Sequence, residues 1–279
     1  MEQSHKINLP NRLIVCGDSF NIGIGCRDLT TQPYGSLLAK QLNIPLVNLA
    51  KGSSTNLSIW LQVQYAVENL NAGADDLILV NETSSERINW FPDGVMEEND
   101  PTPLTNLSVN YHEYPPYGPN SYHHNLPDHP MKHDPKYTGK MITENMRGVV
   151  DFVDNYVQYG IDQRGSYYSR LAVEPVEKVK LVRDFYLSVY NEKISQVQSR
   201  ALMTMCHVYL KNKGIRHLML VPFPYLYDNF VDDYNRVAVS WGDLAIKYPD
   251  KIPSGHADEN GHIEAYNDIL AKLKMNGWA

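Results

Sequence analysis

The chain is poor in the features that mark several protein classes. It has three cysteines in 279 residues, Cys16, Cys26 and Cys206. So odd and sparse a set makes no disulfide framework, and no Cys-x-x-Cys or Cys/His spacing suited to zinc is present. Cys16 lies inside an apolar run and reads as a small hydrophobe. Basic residues are outnumbered, 25 Lys and Arg against 32 Asp and Glu, for a formal charge of −7. A nucleic-acid surface needs a basic stripe. The nearest candidate, Lys178 to Arg183, alternates with apolar residues at helical spacing and reads as a solvated helix face. No run of about 18 apolar residues exists, so no membrane span is expected. The N-terminal MEQSHKINLPNR lacks the apolar stretch of a signal peptide. These absences point to a protein with no nucleic-acid partner, cytoplasmic or virion-associated. Three Asn-x-Ser/Thr matches, at Asn56, Asn81 and Asn106, mean little without a secretory route.

What is present has an order. Residues 12–16, RLIVC, are a short apolar run rich in β-branched residues, the pattern of a buried parallel strand. A glycine-rich stretch follows (Gly17, Gly23, Gly25). Pro33 then opens a helix with Leu37, Leu38 and Leu42 as its apolar positions. Residues 45–49, PLVNL, predict a second strand, broken by Lys51-Gly52-Ser53-Ser54. A second helix carries Ile59, Val63, Ala66 and Leu70 on one face. Asp76 leads into LILV, residues 77–80, a third strand. Residues 176–213 predict one long helix or two abutting ones, with Ile194, Val197, Ala201, Met205 and Val208 keeping the period and Gly214 as the stop. Residues 215–222 give a fourth strand, ended by Pro222 and Pro224. A last helix spans Asn260 to Lys274, with Ile263, Tyr266, Leu270 and Leu273 on one face. Alternating strands and helices predict a single α/β domain around a right-handed parallel sheet. Its functional loops should lie at the carboxyl ends of the strands.

Residues 90–175 stand apart as an insertion or lid, rich in Pro, Tyr, His and Asn over 90–140 and less distinctive beyond. A long irregular loop in a compact domain usually has a use. This one holds His112, His123, His124, His129 and His133 with Asp128 and Asp134. The spacing fits no closed metal site, and a polar surface loop is the simpler reading. Tyr111, Tyr114, Tyr117 and Tyr122 can line a ligand site or an oligomer interface.

Two segments can carry chemistry. Gly17-Asp18-Ser19-Phe20 follows the first strand directly. A serine there is exposed in the crevice, but its hydroxyl is a poor nucleophile until a base takes its proton. The plainer reading is a turn serine capping a helix. The second segment is His256-Ala-Asp-Glu-Asn-Gly-His262, before the last helix. Histidine is the usual base for a serine, because it titrates near neutrality. The plainer reading makes Asp258 or Asn260 a helix cap and leaves the histidines on the surface.

Together these blocks resemble the SGNH hydrolases, also called GDSL lipases and esterases. Gly17-Asp18-Ser19 matches the family's first block. His256, a few residues before Gly261-His262, matches its last, which makes His256 rather than His262 the base. Gly52, after the second strand, matches the glycine whose N–H helps to bind the oxyanion. The resemblance covers roughly 1–90 and 205–279. It implies a three-layer, flavodoxin-like parallel sheet with an insertion after the third strand. It also implies a serine esterase that needs no cofactor and cleaves a short-acyl ester, such as a carbohydrate O-acetyl group, through an acyl-enzyme.

The chain departs from the family at two places. The family's third block supplies an asparagine side chain to the oxyanion hole; here that position falls on Ser85, with Asn81 earlier and Thr83 between them. The aspartate three residues before the base is replaced by Pro253, and Asp250 is the nearest upstream acid. The implied site is therefore Ser19, His256 and Asp250 with oxyanion donors Ser19, Gly52, and Ser85 or Asn81. Glu86-Arg87 reads as a surface ion pair, or as an arginine that draws an anionic group into the cleft. Two other readings stay open. One is a glycan-binding or phage structural protein on the same scaffold. The other is a metal-dependent hydrolase built on the histidine-rich insertion.

Overall fold

The computed structural model describes residues 9–51, 54–83, 85, 88–89, 108–109, 192–222, 224–250 and 256–279. The elements are β1 (Leu13–Cys16), α1 (Ser19–Ile22), α2 (Tyr34–Leu42), β2 (Leu46–Asn48), α3 (Asn56–Glu68) and β3 (Leu77–Asn81). After them come β4 (Ile88–Asn89), β5 (Ser108–Val109), α4 (Glu192–Asn212), β6 (Arg216–Val221), β7 (Arg236–Ala238), α5 (Trp241–Lys247) and α6 (Glu259–Met275). Five strands form one sheet in the order β2-β1-β3-β6-β7, and all four neighbouring pairs are parallel. β4 and β5 pair antiparallel by themselves.

The period of two along each strand sorts side chains onto two faces. Leu13, Val15, Leu77, Leu79, Leu218 and Leu220 point to one face, where Leu38 of α2 and Ala265, Ile269 and Leu273 of α6 cover them. Ile14, Cys16, Ile78, Val80, Met219 and Val221 point to the other, beneath Ile59 and Val63 of α3 and Met203, Cys206 and Leu210 of α4. The result is the parallel α/β sheet expected from the strand–helix alternation, covered on both faces in the three-layer arrangement that the resemblance implies. Leu79 has no exposed surface in the central strand, and cutting such a side chain back to alanine costs about 2–5 kcal/mol. The rigid sheet fixes the carboxyl ends of β1, β3 and β6, from which the candidate site is built.

Two helical faces differ from the sequence reading. On α4, Ile194, Val197, Met205 and Val208 are all at least 45% exposed, whereas Ser199, Met203, Cys206 and Leu210 are buried. Ser199 can turn inward because Asn56 of α3 donates to its hydroxyl at 2.6 Å, and a buried polar group is tolerated when it is bonded. On α6 the inward residues are His262, Ala265, Ile269, Leu270 and Leu273, and Ile263 faces out at 45% exposure. β7 and α5 were not expected at all. The 90–175 insertion lies almost wholly outside the described residues, as do Lys178 to Arg183. Among the described residues no helix is long and apolar enough to cross a membrane.

Candidate active site

β1 ends at Cys16, and the chain turns at once into the short helix α1. Gly17 allows the turn: a Cβ there would lie 2.2 Å from Oδ1 of Asn21. That amide oxygen is needed where it is, since it accepts the Asp18 N–H at 3.0 Å. Asp18 caps α1 by accepting the Phe20 N–H. Ser19 is therefore the first helical residue, a position whose N–H has no partner within the helix. The turn is also braced from α3. Gln62, fully buried, accepts the Gly17 N–H at 2.7 Å and donates to the Gly17 carbonyl at 3.1 Å.

The far end of the chain meets this turn. Nε2 of His256 lies 2.8 Å from Oγ of Ser19, across 237 residues of sequence. Both are buried, Ser19 at 5% and His256 at 2% exposure. Accepting from the hydroxyl requires the imidazole proton on Nδ1. Phe20 packs against the His256 ring at a centroid distance of 4.5 Å and stacks on Trp241 at 5.3 Å. Gly25, with φ of +106°, presses directly on the Ala257 carbonyl. Asp258 caps α6 by accepting the Asn260 and Gly261 N–H groups. The capping role offered by the plainer reading is thus filled, and His256 faces the serine all the same.

His262 is elsewhere. It is buried, its Nδ1 accepts the Tyr34 N–H at 3.4 Å, and burial holds its pKa down at about 4. Asp250 is joined to the His256 strand segment through the backbone, its N–H donating to the His256 carbonyl at 3.2 Å. Gly52 and Pro253 lie outside the described residues, as do Glu86 and Arg87 and the histidines and tyrosines of the insertion. Among the described residues no group of three or more His, Cys, Asp or Glu is placed to hold a metal.

The loop after β3 runs beside the serine turn. Asn81 is buried, with Oδ1 accepting the Trp241 indole N–H at 2.9 Å and Nδ2 donating to the Glu82 carbonyl. Thr83 donates its hydroxyl to Oδ2 of Asp18 at 2.6 Å and its N–H to Asn56 at 2.9 Å. Both Thr83 donors are thus engaged in holding the loop to α1 and α3. The Ser85 carbonyl accepts the Ser195 hydroxyl. Sequence reading missed Asn56, Gln62 and Tyr34, the polar residues that lock the serine turn and its neighbours. A polar residue on the inner face of a predicted helix, as Gln62 is, one position before Val63, was the available signal.

No family model matches the chain, and no curated protein sequence matches it. A solved structure from Desulfitobacterium hafniense DCB-2, whose description places it among lipolytic proteins of the G-D-S-L family, aligns over 94% of this chain and 99% of its own. The identity is 12% and the TM-score 0.32.

Proposed function

We propose that the protein is a serine ester hydrolase. The single observation that carries the reading is the 2.8 Å contact between Oγ of Ser19 and Nε2 of His256. In this reading Ser19 attacks the acyl carbonyl while His256 takes its proton, a step that positioned base catalysis speeds by about 10²–10⁴. The N–H groups of Ser19 and Gly52 receive the oxyanion, each such donor being worth about 10²–10³ in rate. His256 then protonates the departing alcohol as the carbonyl re-forms, which leaves Ser19 acylated. Water attacks the acyl-enzyme with His256 again as base, and the carboxylic acid leaves. Asp250 orients His256, and Ser85 or Asn81 supplies the third oxyanion donor. The Asn81 amide is held by Trp241, so it would act only as a fixed donor. The chemistry uses no cofactor. A short acyl group, such as an acetyl on a sugar, is the substrate that the family resemblance implies.

A scaffold kept for binding alone has no need of a buried hydroxyl aimed at an imidazole, so this contact supports catalysis over that alternative. The test is hydrolysis of 4-nitrophenyl acetate. Ser19→Ala is expected to reduce turnover to background. Turnover surviving that change would exclude the mechanism.

A further inference from the structure

Beside the serine turn lies a cluster that the proposed chemistry does not use. Glu82 follows β3, and its N–H donates to the Leu220 carbonyl at 2.9 Å, carrying the β3–β6 pairing one bond further. The Tyr227 hydroxyl, in the turn after β6, donates to Oε1 of Glu82 at 2.6 Å. Arg200 of α4 is in electrostatic range of both. Yet Nε of Arg200 is buried, and among the described residues it has no hydrogen-bond acceptor.

The cluster is tied to Ser19 by a short run of contacts. Thr83, next to Glu82, donates to Asp18, next to Ser19. Asn56 donates both to the Thr83 carbonyl and to the hydroxyl of Ser199, next to Arg200. Arg200 is therefore linked, through Ser199, Asn56 and Thr83, to the loop after β3 that runs beside the serine turn.

A guanidinium has five N–H donors in a planar fork, suited to two parallel bonds to a carboxylate. Leaving a buried donor of this charged group without an acceptor is unfavourable, and a ligand that supplies one recovers the loss. Glu82 does little to offset the charge. Burial raises its carboxyl to about 7, so near neutrality much of it is protonated and can itself donate to an incoming oxygen.

Resting on the esterase reading, we propose that Arg200, with Glu82 and Tyr227 beside it, binds a carboxylate carried by the ester substrate. One carboxylate balances one guanidinium. A phosphate dianion would leave one negative charge unbalanced in a buried cluster and is disfavoured.

The experiment compares 4-acetoxybenzoate with its methyl ester, which offer the same acetyl group with and without the anion. In the wild type kcat/KM is expected to favour the anionic ester about 10-fold, the size of one charged hydrogen-bonded contact. Arg200→Gln should bring the ratio of the two values close to one, and Arg200→Lys should keep part of it. A structural role for Arg200 would lower both values together and leave the ratio intact, which would overturn the proposal, as would a wild-type ratio near one.

A second measurement does not depend on turnover. Ser19→Ala should bind 4-acetoxybenzoate, measured by calorimetry, and adding Arg200→Gln should weaken that binding about 10-fold. Equal binding with and without Arg200 would overturn the proposal. Arg200-dependent preference for 4-acetoxyphenyl phosphate would overturn the choice of carboxylate. Arg200-dependent binding in a wild type that hydrolyses neither ester would support the anion site and defeat the esterase reading.

Discussion

Gly25 lies so close to Ala257 that a Cβ on Gly25 would sit 2.1 Å from the Ala257 carbonyl oxygen. This contact clamps the loop after α1 to the segment that carries His256. It explains how the two ends of a long chain hold a hydrogen bond between side chains. A methyl group at Gly25 meets backbone rather than a flexible side chain, and the φ of +106° is itself unfavourable for any L residue. Gly25→Ala is therefore expected to cost about 2 kcal/mol or more and to lower kcat by displacing His256. Thermal melting and ester hydrolysis measured on the same sample check it, and a variant with wild-type values for both would show that the clamp does not matter.

Gln62 braces the serine turn from the opposite side. Its amide satisfies both backbone groups of Gly17 and donates to Ser54 at 3.0 Å. Gln62→Leu keeps the volume but leaves the buried Gly17 N–H unpaired, while the Gly17 carbonyl keeps the Lys51 N–H at 3.3 Å. An unpaired buried group costs about 1–3 kcal/mol, so unfolding in urea should shift by about that amount. A shift below about 1 kcal/mol would mean that the turn relaxes to find other partners.

Buried imidazoles should make the protein acid-sensitive. Burial lowers His217 and His262 from 6.5 to about 4. His217 is bonded through Nε2 to Nδ1 of His207, which burial also lowers. The unfolded chain takes up these protons first as the pH falls. The stability held by the neutral rings is therefore full above pH 6.5 and lost on the way down to 4, on the order of 3 kcal/mol for each of the two deeper rings. Glu82 works in the opposite sense. Its carboxyl is raised from 4.5 to about 7, so its contribution is full below 4.5 and is lost as the pH rises through 7. The two histidines outweigh it. Urea midpoints should fall between pH 7 and 4.5, and Glu82→Gln should steepen the fall. A midpoint that is flat or rises over that range would contradict this assignment.

The strands were legible in the sequence because they are buried on both faces. LIVC, LILV and the run ending in Val221 are continuous apolar segments, which only a covered parallel sheet requires. β7 was not legible, since three residues, Arg236–Ala238, carry no periodic signal. α5 is seven residues long and equally mute. The faces of α4 and α6 were misread because apolar count was taken as the guide. Ser199 and His207 are buried because Asn56 and His217 meet them, and a partner from another element cannot be read from a local window. The candidate site divides in the same way. Ser19 and His256 stand in short blocks that resemble a known pattern. Asn56 and Thr83 act through contacts 27 to 143 residues apart in the chain, which nothing local announces, and Gln62 gave a local signal only as a polar residue on the inner face of a helix.

Asp250 is proposed to take the orienting role that the resemblance would give to an acid at the position of Pro253. If it orients His256 as proposed, Asp250→Asn should lower kcat by about 10²–10⁴, the upper value being the loss seen when a serine enzyme's orienting aspartate is replaced. The melting temperature should move little. A kcat within a few-fold of wild type would assign the orienting role to another acceptor.

The central claim, that Ser19 and His256 share a proton, is tested most directly by covalent labelling. A fluorophosphonate reacts with a serine whose hydroxyl is activated by a base, and mass spectrometry locates the adduct. The expected result is a single label on Ser19 that forms rapidly in the wild type and at least about 100-fold more slowly in His256→Ala. Absence of label on Ser19 in folded protein, or equal labelling with and without the imidazole, would contradict it.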